Sequence, residues 1–450
     1  MPDSQPQPPG GAADTTALVL CGARLTDGRT VDVRLSGGRI EAVGTAGSLG
    51  VQGARVDLGG YLLLPAPAEP HAHSDTALTA LSSPPAPHTG ETAPGPPGGQ
   101  GAGQGGAGPV PYGPEDVRRR ATEAALLQLG HGATALRSHV RIGDAQELVR
   151  MEAVLQARRS LRGLGDLAAV AVPRLLTGLA GADGLAMLRD AVKMGAGAVG
   201  GRPDLDPDPA GFAEAVLEVA AEHGCPVDLH TDGDDPARLA RLAAMVGGLR
   251  QPVTLGPCGG LARLPAEVAA RAADQLAAAG VTVVCLPQGG CGGVDERGVA
   301  PVGLLRAAGV RVAAGSGALR DVSNPVGRGD PLEAAYLLAA QSGLSPDEAY
   351  GAVSAVARAA MGLPEVRVEA GFPAELLAVR GEELAGALSL AYSRIVIHRG
   401  RVVARTSAVR EYCDPAAVSL EVPRQGRSDF GQPGQPGQPG QPGQPGPPGP

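Results

Sequence analysis

The chain has no tryptophan, three phenylalanines and six tyrosines, so aromatic residues make up only 2% of its 450 positions. A core of ordinary size must then be built from alanine, valine and leucine. Lysine is missing except for Lys193. The other basic residues are arginines that form no block, and the formal net charge is −8. This balance excludes the electrostatic footprint of a nucleic-acid binder or of an anionic-membrane binder. No uncharged apolar run approaches the ~20 residues that cross a bilayer. Cys21, Cys225, Cys258, Cys285, Cys291 and Cys413 lie far apart and include no CxxC pair. That argues against a disulfide framework and for reduced thiols. Residues 1–13 carry neither a basic n-region nor an apolar h-region, so a secretory signal is not expected and the expected location is cytoplasmic.

What is present falls into three layers. Residues 15–64 alternate apolar and polar in short runs, such as Val31-Asp32-Val33-Arg34-Leu35, punctuated by Asp27-Gly28 and Gly37-Gly38. Similar runs return at Glu375–Val379, Arg394–His398 and Arg401–Ala404. Neither end has enough strands alone, so the economical reading is one small β-sandwich domain built from both chain ends, residues 15–64 and 366–422. Between them lie eight short apolar runs, at 61–65, 133–137, 167–172, 198–200, 226–229, 253–255, 281–285 and 310–314. Helical patterns at 117–129, 185–194, 212–223 and 267–279 separate several of them, ending in Gly130, Gly195, Gly224 and Gly280. Repeated β/α units of this kind point to a (β/α)8 TIM-type barrel over 65–365, with chemistry at the C-terminal ends of its strands. Three segments are low in complexity: 1–14, the Pro/Gly/Gln insertion 84–114 and the Gly-Gln-Pro tail within 423–450. All three read as disordered.

The first apolar run is followed by Glu69-Pro70-His71-Ala72-His73. Residues i and i+2 of an extended strand share a side, so His71 and His73 present two imidazoles together, half of a metal site. An HxH pair alone is a weak signal, but further segments follow in order. These are Gly132-Ala133-Thr134-Ala135-Leu136-Arg137-Ser138-His139-Val140, Val170-Ala171-Val172-Pro173, Val199-Gly200-Gly201-Arg202-Pro203, Val227-Asp228-Leu229-His230-Thr231-Asp232, and Gly315 to Gly327 with Asp321 and Pro325. Together they span most of residues 15–405, and over them the chain resembles the amidohydrolase superfamily and, within it, the cytosine deaminase branch.

That resemblance implies metal-assisted hydrolysis of a non-peptide C–N bond, a deamination, in a small cyclic or anionic substrate. It implies one divalent metal, zinc or iron, on His71, His73 and His230. The chain departs from the pattern at several working positions. The family's proton-shuttling Glu falls at Gly233, its next metal-site His at Pro257 and its metal-binding Asp at Gly317. The substrate-reading Gln falls at Arg174, and a second-strand Asp falls at Arg141. Glycine and proline supply no side-chain ligand or base. Asp232, beside Gly233, is the candidate to take over the proton work, with Cys258 beside Pro257 a second group to examine. Arg174, His139, Arg141 and Arg202 are the expected substrate-binding residues. Arginine forks near three strand ends suit a carboxylate or phosphate. The expected partner is a small molecule, and a homo-oligomer is compatible with the sequence. The alternative is a catalytically inactive relative that binds a small ligand or a protein partner in the barrel mouth.

Overall fold

The structure is a computed structural model, and it describes residues 17–50, 53–80, 113–143, 148–289, 298–390 and 393–408. The readings of 1–14, of most of the 84–114 insertion, and of every segment beyond 408 lie outside these residues.

Two eight-stranded sheets carry the fold. The first takes β1 (Leu18–Arg24), β2 (Thr30–Ser36), β3 (Arg39–Thr45), β4 (Ala54–Asp57) and β5 (Tyr61–Pro65) from the start of the chain. The second is wholly parallel and runs in sequence order from β6 (Ala68–Ala72) through β7 (Ala135–Ile142), β8 (Asp166–Pro173), β9 (Ala198–Gly201), β10 (Val227–Thr231), β11 (Val253–Pro257) and β12 (Thr282–Cys285) to β13 (Arg311–Ala314). β14 (Leu376–Arg380), β15 (Arg394–His398) and β16 (Arg401–Thr406) then complete the first sheet, whose order is β16-β15-β14-β5-β1-β2-β3 with β4 beside β1. The chain ends therefore share one mixed sheet, and the middle forms a nearly closed barrel. A parallel bridge between Ala72 and Gly317 links the first barrel strand to the segment after the last.

Helices cover the barrel, among them α1 (Pro114–Gly130), α2 (Val149–Ser160), α3 (Gly184–Met194), α4 (Pro209–His223), α5 (Pro236–Val246) and α6 (Ala266–Ala278). The expected glycine stops hold at Gly195 and Gly224, both left-handed C-caps, a conformation glycine adopts without steric cost. α1 instead runs through Gly130 to a cap at His131. Strands β7 to β13 are buried almost throughout, as parallel strands covered by helices must be. Phe212 is the one phenylalanine among the largest fully buried side chains; leucines dominate the rest.

The first barrel strand is a correction to the sequence reading. The apolar run Tyr61–Pro65 pairs antiparallel with β14 in the mixed sheet, and the barrel begins at Ala68–Ala72. The reason is double burial. Leu62 and Leu64 join the core shared with the barrel, whereas Leu63 faces the separate core of the mixed sheet. A strand covered on both faces has the same continuous apolar pattern as a barrel strand. The true first strand, Ala-Glu-Pro-His-Ala, is fully buried yet carries little apolar signal.

Candidate metal centre

Three of the barrel strands aim polar side chains at one point. His71 lies near the end of β6 and His73 just past it; His139 lies in β7 and His230 in β10. One ligand nitrogen from each can be chosen so that all lie within 4.8 Å of one another. Ring centroids stand 4.2 Å apart for His71 and His139, 4.4 Å for His71 and His230, and 4.5 Å for His139 and His230. Four of the chain's eight histidines thus meet at the C-terminal ends of the strands.

Alternation along each strand stacks this site in layers. On β7, Arg137, His139 and Arg141 share the inward side. On β10, Asp228 and His230 do. The lowest layer is a buried ion pair, with Arg137 Nη2 2.7 Å from Asp228 Oδ2. Arg137 also donates to Pro70 O, Ala360 O and Thr254 Oγ1, each at 3.0 Å, so it is fixed on every side. The same Asp228 oxygen lies 3.1 Å from His139 Nε2. The histidines form the middle layer. At the rim, Arg141 Nε donates to Asp75 Oδ2 at 3.0 Å.

The histidine nitrogens are short of partners. Both ring nitrogens of His71, His139 and His230, and Nε2 of His73, are buried without a hydrogen bond. Buried polar atoms are seldom left so, and a cluster of them converging on one point fits a metal ion. The electrostatics agree. Burial, with neighbouring imidazoles adding to it, pushes His71 and His230 well below the usual histidine range. Burial and the nearby His139 bring His73 down to about 3. Neutral imidazoles keep the lone pair that a metal needs.

Two buried carboxylates flank the histidines. Burial raises Glu69 to about 7, although Ser316 and the His71 amide donate to it. Burial also acts to raise Asp228, but Arg137 and His139 outweigh it and hold Asp228 far below its ordinary value. Above the histidines opens a cavity of about 160 Å³, lined by His73, Thr76, His139, Arg141, Val172, Arg202, His230, Asp321, Val322 and Ser323.

Of the expected site residues, the structure brings His71, His73, His230 and His139 together and sets Arg141 and Arg202 on the cavity wall. His139, expected to bind substrate, lines the cavity and also sits among the metal-site histidines. Arg174 is exposed on the loop after β8 and is not among the cavity-lining residues. Asp232 does not line the cavity either. Its carboxylate accepts from Gly260 N at 2.9 Å and pairs with Arg263. Cys258 is fully buried among apolar neighbours, and burial raises its thiol far above the ordinary range, so it stays protonated. Missed altogether were the Arg137–Asp228 support and the Thr76, Asp321 and Ser323 wall. The spacing of Arg137 with His139, and of Asp228 with His230, was the available signal for the first. For the second, Asp321 stood in the Gly315 to Gly327 segment already singled out, but nothing local joins that segment to Thr76, far away in sequence.

The amidohydrolase family model matches residues 101–404, more than half of the chain. The chain belongs to the amidohydrolase family. Within it, the chain is 29% identical over 310 residues to a pterin deaminase from Rhizobium rhizogenes, covering 65% of this chain and 70% of that protein. It is 26% identical over 235 residues to an N-isopropylammelide isopropyl amidohydrolase from a Pseudomonas species, covering 50% of this chain and 55% of that one. Among solved structures, it resembles the N-isopropylammelide isopropylaminohydrolase of Burkholderia multivorans with a TM-score of 0.72 and 25% identity, over 88% of this chain and all of the other. It also resembles the 5-methylcytosine deaminase of Klebsiella pneumoniae with a TM-score of 0.73 over the same share of this chain; at 22% identity that likeness concerns the fold alone. The barrel with a mixed sheet from both chain ends is thus the amidohydrolase architecture. Among the described residues no helix is long and apolar enough to cross a membrane.

Proposed function

We propose that this amidohydrolase hydrolyses a non-peptide C–N bond, as a deaminase does, in a small cyclic substrate held above a single divalent metal, zinc or iron. The observation that carries the reading is the convergence of four imidazoles, three of them buried, with most of their ring nitrogens without a hydrogen bond, beneath a cavity at the C-terminal mouth of the barrel. His71, His73 and His230 would hold the ion, with His139 in reach as a fourth ligand. When bound, the ion supplies Lewis acidity at the cavity floor. Asp228 and Arg137 fix the orientation of His139 from below. Arg141 and Arg202 face the substrate.

A second reading has its own support. The positions where the resemblance places the shuttling Glu and the metal-binding Asp are glycines at φ +73 (Gly233) and φ +68 (Gly317). Asp232 is engaged elsewhere. A protein that binds its ligand without turning it over fits those facts.

Metal content measured by mass spectrometry, beside a His71→Ala/His73→Ala variant, tests the first half. About one zinc or iron per chain, lost in the variant, is the expected result. Ammonia release from amino-substituted nitrogen heterocycles tests the second half. A metal-loaded protein that releases none from a broad panel leaves the ligand-binding reading standing.

A further inference from the structure

We propose that the cavity takes a ligand bearing a carboxylate, gripped between Arg141 and Arg202. The inference rests on reading this cavity as the substrate site and names the substrate's charge. Arg141 lies near the end of β7 and Arg202 just past the end of β9. In the barrel order β8 stands between them, and its Val172 is the apolar residue on the wall there. Two guanidinium groups therefore flank one apolar patch, an arrangement that suits a flat ring with a carboxylate at its edge.

The charges on the described cavity wall favour an anion. Two arginines and one aspartate are the charged side chains on it. Asp321 is the one carboxylate lining the cavity among the described residues. It is already committed, accepting from Thr76 Oγ1 at 2.9 Å and from the amides of Ser323 and Asn324. Asp75 lies behind Arg141 rather than in the cavity, fully buried, where it orients that guanidinium. Recognition of a neutral amide would call for a side chain that both donates and accepts at fixed places, such as Gln or Asn. No such amide lines the described wall.

Nicotinate and nicotinamide share a ring and differ in carboxylate against carboxamide, which makes them suitable probes. Each would be titrated calorimetrically, at one ionic strength, into chelator-stripped protein and into zinc-loaded protein. The stripped form matters because a bound metal would itself attract a carboxylate. We expect stripped protein to bind nicotinate at least about tenfold more tightly than nicotinamide, the scale of a hydrogen bond to a charged group. Arg202→Gln should remove that preference, and Arg202→Lys should keep part of it. Thermal melts establish that each variant is folded; if Arg202→Gln is not, the reduced preference of Arg202→Lys decides. Equal binding of the two probes, no nicotinate binding at millimolar concentration, or a preference untouched in the folded variant would overturn the proposal. Tighter binding of inorganic phosphate than of nicotinate would overturn it as well. The two readings fail separately. Turnover of neutral heterocycles without an anion preference sinks this inference and spares the hydrolase. A nicotinate preference without any C–N turnover does the reverse.

Discussion

At the scale of single residues, two positions near the site hold a backbone conformation that favours glycine. Gly233 and Gly317 are left-handed, a conformation that costs other residues roughly 1–2 kcal/mol. A Cβ at Gly233 would also stand 3.3 Å from Leu261 Cγ. Placing carboxylates at these two positions should therefore not raise the activity. Gly233→Glu and Gly317→Asp are each expected to lower stability by about 1 kcal/mol or more without a gain in cytosine deamination. Urea unfolding and an ammonia assay check both halves; a large gain in turnover would show that only the side chains were missing. Gly201 makes a related point. A Cβ there would fall 2.3 Å from Phe212 Cζ, and an aromatic ring packed in a core cannot swing aside. Gly201→Ala should cost ~1–3 kcal/mol through overpacking and disturb the neighbouring Arg202, so weaker nicotinate binding should accompany the loss of stability.

At the scale of elements, the mixed sheet is tied to the barrel by a buried fork. Arg394 of β15 gives Nη1 and Nη2 to the two oxygens of Asp330 at 2.8 and 2.7 Å, and both side chains are nearly inaccessible. Asp330 also caps α8 (Pro331–Ser342) through Leu332 N. Burial acts to raise its pKa, but the hydrogen bonds and charge of Arg394 outweigh it, and the carboxyl ends below its ordinary value. The sign follows. A depressed native pKa contributes stability that is complete above the unfolded value near 3.9 and is lost as pH falls through the native one. Asp330→Asn should keep the cap yet remove the charged half of the fork to Arg394, a cost of about 3 kcal/mol. Its stability should also fall less steeply than that of the parent below about pH 4. Denaturant midpoints against pH read both effects, and parallel acid limbs would contradict the assignment. The helices α3, α4 and α6 were legible to within three residues at each end because periodicity and a nearby glycine stop coincide there. β6 was not, because a polar strand buried by tertiary contact has no period of its own.

At the scale of the whole molecule, metal binding and folding are linked. The four histidines come from three separated strands and the residue after one of them, so the unfolded chain offers no comparable site. Chelator treatment should lower the melting temperature, and zinc at a thousandfold excess over its Kd should restore about 4 kcal/mol. In His71→Ala/His73→Ala neither agent should move the melt. A variant that still responds to both would place the ion elsewhere.

What the sequence determined by itself was the barrel class, the pairing of the two chain ends and the positions of His71, His73 and His230. The first two rest on repeated patterns and the His71–His73 pair on an i, i+2 spacing, whereas His230 rests on the resemblance of its segment to the family. The tertiary structure alone decided three further matters. It put His139 among the metal-site histidines, it turned Asp232 toward Arg263, and it left Arg174 outside the cavity while Arg141 and Arg202 stayed on its wall. These depend on which way a loop leaves its strand, and that direction is set by packing between distant segments, as where Leu261 and Leu239 crowd Gly233.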